Sequence, residues 1–364
     1  MRKSFHVASV VLLILFSSCS REESNGFLWE KSHGEGFAYA SLYTGDSLFI
    51  FSGSISDYPS AVKTTLSGRL IYRYDGESIG RFTSMTEDTS GVTLAGASGG
   101  RLLVTRLSAR FSHLWSHIYQ FSPEVETATI ARWDDDSFLV VAGERVDSLR
   151  YNSFLILLID NDGEVLSVSE STRGYNLAIN DMVISGNNGF IAGMTRKVGG
   201  DKSQAVIAGF DVSGNLIWER ELYNNPDFGA SVISLTRGSD GIIYATGRTE
   251  LPEGEDLFTT SWVASFTETG ELLWKRYLEN SNSGEDIMIN SMSQLMVLNK
   301  KCGTINYISL PDGTVVDRLS LYDACDPAQH EIELGSLNIL PDGEYLVTGT
   351  RSGKFYYARY VGEK

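Results

Sequence analysis

Short apolar runs, broken by turns rich in Gly, Asp and Ser, fill the chain from residue 27 onward. Runs bounded in this way by turn formers read as strands. They also recur in register: Asp240-Gly241-Ile242-Ile243-Tyr244-Ala245-Thr246-Gly247 lines up with Asp342-Gly343-Glu344-Tyr345-Leu346-Val347-Thr348-Gly349. A Trp marks a further strand at Leu28-Trp29-Glu30-Lys31, Ile217-Trp218-Glu219-Arg220 and Leu273-Trp274-Lys275-Arg276. Gly closes the second strand of the unit at Gly53, Gly96, Gly143, Gly193, Gly247 and Gly349, with Asn299 in that place in the sixth unit. An internal period of about 50 residues built of strands is the signature of a β-propeller. Seven such positions predict an all-β chain, a seven-bladed β-propeller.

The chain ends predict how the ring closes. The seventh unit supplies three strands, over Ile332–Leu340, Tyr345–Gly349 and Phe355–Val361, and the matching Trp strand lies at the other end, in Phe27-Leu28-Trp29-Glu30. An N-terminal strand completing the last blade pairs an otherwise open edge. Nothing in the composition divides the repeats, so residues 27–364 are expected to form a single propeller domain.

Residues 1–18 do not follow the repeat. Arg2 and Lys3 precede an apolar stretch from Val7 to Phe16, and Phe16-Ser17-Ser18-Cys19 resembles the lipobox of bacterial lipoproteins. The stretch is too short to span a bilayer as a helix, which favours a cleaved signal peptide over residues 1–18. Cys19 is then the lipidation site, and residues 19–26 are a lipidated tether. Ser20 in place of Asp favours the outer membrane, and Arg21-Glu22-Glu23 resembles a short surface-display signal. Attachment with both a thioether lipid and an acylated (palmitate-type) amine meets the requirement of more than one chain for stable anchoring.

The formal net charge of −16 becomes two units more negative once Arg2 and Lys3 are removed. Such a surface disfavours nucleic acid as a partner. With Cys19 lipidated, Cys302 and Cys325 remain as a possible disulfide pair in an oxidising compartment. The inventory for catalysis is thin. No His-Glu-x-x-His or Cys-x-x-Cys pattern occurs, so no metal, cofactor or catalytic residue is assigned. His113 and His117 flank Trp115 in a strand and read as packed or solvated residues. Gly96-Ala97-Ser98-Gly99-Gly100 has the spacing of a nucleophile elbow but sits between two strands, where a hairpin is expected instead. Asp134-Asp135-Asp136 and Asp160/Asp162 read as turn chemistry. Trp133 and Trp262, which lie outside the repeat pattern, are assigned to the core ahead of a sugar-holding role.

The spacing Asp211-x-x-Gly214-x-x-x-Trp218, echoed by Gly270-x-x-x-Trp274, resembles the repeats of quinoprotein-like bacterial propellers. That family includes quinone-dependent dehydrogenases and a lipoprotein subunit of the outer-membrane protein assembly machinery. The dehydrogenases' adjacent cysteines have no counterpart here, so the resemblance implies architecture and not a quinone site. The expected function is a non-catalytic, lipid-anchored propeller, a monomer or part of an envelope complex, that binds a protein or glycan on one face. The alternatives are a scaffold subunit of an outer-membrane assembly machine, and a glycan-cleaving or quinone-dependent propeller enzyme. The first and third turns of each unit are short and share one face. Long loops are expected on the other, at Ser54–Ser67, Glu144–Asn152, Met194–Gln204 and Arg248–Thr260, where binding residues concentrate. Arg145, Arg196, Arg248, Lys300 and Arg351 follow the strand-closing positions. They suggest a partial basic ring for an anionic ligand, or else salt bridges to acids in the same loops.

Overall fold

The computed structural model describes residues 27–120, 124–144, 153–172, 176–186, 189–199, 202–222, 229–253, 256–279, 281–300, 303–321 and 332–361. The middle strands are apolar at consecutive positions because both of their faces are buried. In Ser137–Glu144, Phe138, Val140 and Ala142 pack toward the preceding blade, while Leu139 and Val141 pack toward the following one. Seven clusters of this kind fill the gaps between neighbouring blades, and the one around Phe51, Leu346 and Tyr357 joins the last blade to the first. A closed ring of seven four-stranded antiparallel blades follows, as the repeat predicts.

Phe27–Tyr43 serves two blades with one long strand. Its first half pairs antiparallel with Lys354–Tyr360 as the outermost strand of blade 7, with Glu30 opposite Ala358. From Gly36 onward it pairs with Phe49–Ile55 as the innermost strand of blade 1. The predicted N-terminal closure is therefore present, and the same strand carries the chain directly from the rim to the axis. The innermost strands then touch in series around the axis: Gly80–Asp88, Val125–Arg132, Asn176–Ser185, Ala230–Arg237, Gly284–Ile289, Ile332–Ile339, and back to blade 1.

Two sequence features acquire a physical cause. The recurrent Gly does not end its strand. At Gly53, Gly96, Gly247 and Gly349 it lies within the ladder, opposite a bulge in the innermost strand, where the backbones approach closely. A Cβ at Gly53 would fall 2.0 Å from the Phe37 carbonyl oxygen, and one at Gly349 would fall 1.9 Å from that of Glu333. In blade 6 the roles are exchanged: Asn299 faces Gly284, and it is Gly284 that cannot carry a side chain.

The Gly-x-x-x-Trp spacing is an inter-blade lock. Nε1–H of Trp29, Trp115, Trp218 and Trp274 donates to a carbonyl in the next blade's third turn, at Leu66, Asn161, Glu268 and Leu310 (2.8–3.0 Å). The ring then covers that turn's glycine. A Cβ at Gly270 would meet the Trp218 ring at 2.4 Å, and one at Gly313 would meet the Trp274 ring at 2.5 Å.

The long loops are corrected. Ser54–Ser67 is a tight hairpin turning at Ser56-Asp57, between Phe49–Ile55 and Tyr58–Thr64. Residues assigned to loops in blades 4 and 5 are arms of elongated hairpins, Gly189–Gly199 with Lys202–Asp211 and Ile243–Glu253 with Asp256–Phe266. Their polar composition hid the continuing ladder. Residues 145–152 lie outside the described residues.

Candidate functional site

Six small polar residues hold the same place on the innermost strands of blades 2 to 7: Ser84, Thr129, Asp181, Ser234, Asp286 and Ser336; in blade 1 that place falls to Ala40, and Ser41 follows it. Each precedes an apolar residue that turns into the interface with the preceding blade, from Met85 round to Leu337. The layer links blades across the axis. Ile130 N–H donates to Ser84 Oγ at 3.2 Å, Leu235 N–H to Asp181 Oδ2 at 2.8 Å, and Leu337 N–H to Asp286 Oδ2 at 2.7 Å. Ser41 and Ser336 share a hydroxyl bond of 3.0 Å across the closure.

Its acidic members form a bridged pair. Ser234 Oγ lies 3.1 Å from Asp181 Oδ2 and 3.0 Å from Asp286 Oδ1. A hydroxyl carries one proton, so both contacts are hydrogen bonds only if one carboxyl is itself protonated and donates to Ser234. The electrostatics agree. Desolvation deep in the molecule, reinforced by Asp286, pushes Asp181 up to about 7, and desolvation pushes Asp286 up to about 6. Both retain partial solvent contact along the axis. Paired carboxylates on a propeller axis would suit acid–base chemistry, yet here every oxygen is occupied. Asp181 Oδ1 accepts Met182 N–H, Asp286 Oδ1 also accepts Ile287 N–H, and the two Oδ2 atoms accept from the next blade. The pair works as an inter-blade clasp. The sequence carried its signal, a Ser, Thr or Asp before an apolar residue in the first strand of blades 2 to 7, but only the ring topology shows that these positions meet.

Two clefts among the described residues lie on the face opposite the short turns. One, about 660 Å³, lies over blades 1 to 3 and is lined by Tyr39, Arg81, Glu124 and Glu126. Its cation is engaged: Arg81 lies 3.9 Å from Glu126 and 5.6 Å from the Tyr39 ring. The other, about 850 Å³, opens between the tall hairpin of blade 5 and the start of blades 6 and 7. Phe258 and Tyr277 border it with 39% and 44% of their surface exposed. Arg248, Lys300, Glu279, Glu333, Thr259, Asn282 and Ser283 complete the lining. Behind it, burial pushes the Glu285 carboxyl up, opposed by a Ser283 hydrogen bond and the charges of Lys300 and Arg248.

The five candidate basic residues part company. Arg196 is buried and forks to Glu219 and, at 2.6 Å, Glu221 within its own blade. Arg351 pairs with Glu30 of the closing strand. Lys300 lies 3.2 Å from Glu333. Arg248 is exposed and makes no ion pair among the described residues. Arg145, Cys19, Cys302 and Cys325 lie outside the described residues. Among the described candidates, only Arg248 and Lys300 share a cleft.

The remaining candidates are structural. His113 stacks on Tyr74 at 5.6 Å, and His117 contacts the Asp162 carbonyl at 3.2 Å. Trp262 is a core residue, and Trp133 packs partly buried against the blade 3–4 cluster. Asp134 receives Asp136 N–H and the Ser137 hydroxyl, and Asp160 receives Asp162 and Glu164 N–H, as turn chemistry requires. Ser98 closes a strand at a hairpin and donates to the Ile79 carbonyl.

Comparison with known proteins adds the fold and nothing finer. No family model and no curated protein matches the chain. Among solved structures it is similar to the WD40 domain of Pan2 from Neurospora crassa (12% identity, 94% of this chain and 98% of that one, TM-score 0.65). It is also similar to a catalytically inactive virginiamycin B lyase from Staphylococcus aureus with quinupristin (12%, 92% and 98%, TM-score 0.60). A third is Sqt1 from Chaetomium thermophilum (11%, 93% and 99%, TM-score 0.57). At such identities the likeness is one of architecture: the chain is a β-propeller.

Proposed function

We propose that the protein is a non-catalytic binding module, held by lipid at Cys19 to the outer membrane, that takes its ligand on the face carrying the two clefts. The observation that supports this reading is the direction of the closing strand. Phe27 pairs with Tyr360, at the short-turn end of the blade, and the chain then runs toward the cleft face at Gly36. A tether of residues 19–26 spans at most about 30 Å and joins the short-turn side. The clefts then point away from the membrane. A rigid ring of locked blades presenting clefts on its free side suits capture of a ligand that arrives from solution. The occupied oxygens of the axial carboxylates favour binding over hydrolysis.

Partition of a Cys19→Ser variant tests the anchor. The variant is expected to leave the membrane fraction, lose lipid label and keep its fold and ligand. A variant that stays in the membrane with its label intact contradicts the anchor.

A further inference from the structure

Resting on the loop-face reading above, we propose that the 850 Å³ cleft between blades 5 and 6 is a carbohydrate site, and that its ligand is an uncharged oligosaccharide. Size comes first. The volume falls within the range of small-molecule clefts, about 300–1,000 Å³, and the shape is concave, unlike a protein interface of about 800 Å² per partner. The cleft's chemistry then narrows the class.

Phe258, on the outer arm of the blade 5 hairpin, and Tyr277, on the outermost strand of that blade, are both substantially exposed. Lys275 Nζ lies 5.2 Å from the Tyr277 ring centroid, and the aromatic surface that remains exposed on the rigid sheet suits a ligand with apolar C–H faces and polar edges, which describes a pyranose ring. Around them stand donors and acceptors of both kinds: the guanidinium of Arg248, the amide of Asn282, the hydroxyl of Thr259, and the carboxylates of Glu279 and Glu333. A sugar hydroxyl both donates and accepts, so a mixed lining can satisfy several at once.

Charge decides between acidic and neutral sugars. Two cations, Arg248 and Lys300, face two carboxylates, Glu279 and Glu333, and Lys300 already lies 3.2 Å from Glu333. The lining is balanced. A uronate or sulfate that reached Arg248 would also bring its charge toward both acids, and a cationic ligand would meet the same difficulty with the bases. The partial basic ring does not rescue an anion, because Arg196 and Arg351 are neutralised within the protein by Glu219, Glu221 and Glu30. A polyol without charge fits where either ion is opposed.

The site is held rigidly, as recognition of a flexible chain requires. The Thr260 hydroxyl donates to the Leu278 carbonyl at 3.0 Å, the Ser261 hydroxyl bonds that of Ser281, and Ser261 also donates to Asn299 at 3.0 Å. Lys300 N–H donates to the Ser283 carbonyl at 3.0 Å. Those bonds tie the blade 5 hairpin to the floor of the cleft.

The test uses the full-length lipidated protein in detergent against a panel of neutral oligosaccharides, the same backbones carrying uronates, and an acidic peptide. Neutral members are expected to bind, with an affinity little changed from about 50 to about 500 mM salt. Phe258→Ala with Tyr277→Ala is expected to weaken them at least about tenfold, or about 1.4 kcal/mol, at an unchanged melting temperature. If that double variant does not fold, Tyr277→Ser alone decides, with the same direction expected. Absence of neutral-sugar binding, retention by the folded variant, or capture restricted to uronates or peptide and abolished by salt would overturn the proposal. Uronate or acidic-peptide binding lost in Arg248→Glu without any neutral-sugar binding would overturn the sugar class alone and leave the loop-face reading standing.

Discussion

At the scale of single residues, buried charges here tie blades together. Arg106, fully buried, forks to Asp88 at 2.7 Å and donates to Thr93, with its guanidinium 5.1 Å from the Phe138 ring of the next blade. Burial alone would push the Asp88 carboxyl up, but the bonds from Arg106 and Ser90 hold it below the usual range. The axial pair runs the other way. Asp181 and Asp286 are raised in the folded state to about 7 and about 6, against about 3.9 in an unfolded chain. The folded protein therefore binds more protons across that window, and the stability they contribute is fully present below about pH 4 and lost as pH rises through about 6 to 7. Unfolding midpoints of the native protein and Asp181→Asn, measured at about pH 5 and about pH 8, check this. Asn supplies a permanent donor to Ser234, so the difference between the two pH values is expected to shrink by roughly 1–2 kcal/mol. Parallel pH profiles would contradict the shared proton.

Elements show what the sequence made legible. The count of blades, the N-terminal closure and the Trp strands could be read directly, because each rests on local signals that repeat: turn glycines, apolar runs and one aromatic at fixed spacing. Hairpin heights could not. Thr249, Glu250, Thr259 and Thr260 pair across a continuing ladder, yet their composition is that of a loop. The meeting of Ser41 with Ser336, and of Asp181 with Asp286 through Ser234, was hidden because each joins residues remote in sequence by a ring symmetry that no local pattern states. The cleft was half visible, through Arg248 and Lys300. Phe258 and Tyr277 gave no signal, since an apolar residue in a strand is usually core.

Closure itself is open to test at this scale. Trp29 contacts Phe49 and Tyr357 at centroid distances of 6.0 and 5.9 Å and donates to Leu66. Trp29→Asp removes these contacts and places a charge against the apolar cluster of blades 7 and 1. Thermal or urea unfolding is expected to show a loss of about 3–5 kcal/mol. An unshifted midpoint would mean that the N-terminal strand is a tether and not a structural member.

For the whole molecule, the two faces carry different chemistry. The short turns bring Asp46, Asp88, Asp134, Asp160, Asp211, Asp240, Asp312 and Asp342 to one side, most of them bonded to turn N–H groups or to neighbouring side chains. The opposite side holds the tall hairpins and both clefts. The most direct measurement of the account is retention of the neutral oligosaccharide panel by three full-length proteins: the native chain, Phe258→Ala with Tyr277→Ala, and Asp135→Lys with Asp162→Lys on the short turns. The expected result is that the native and short-turn proteins retain it while the cleft variant loses it. Loss from the short-turn variant, with full retention by the cleft variant, would contradict the assignment of the binding face.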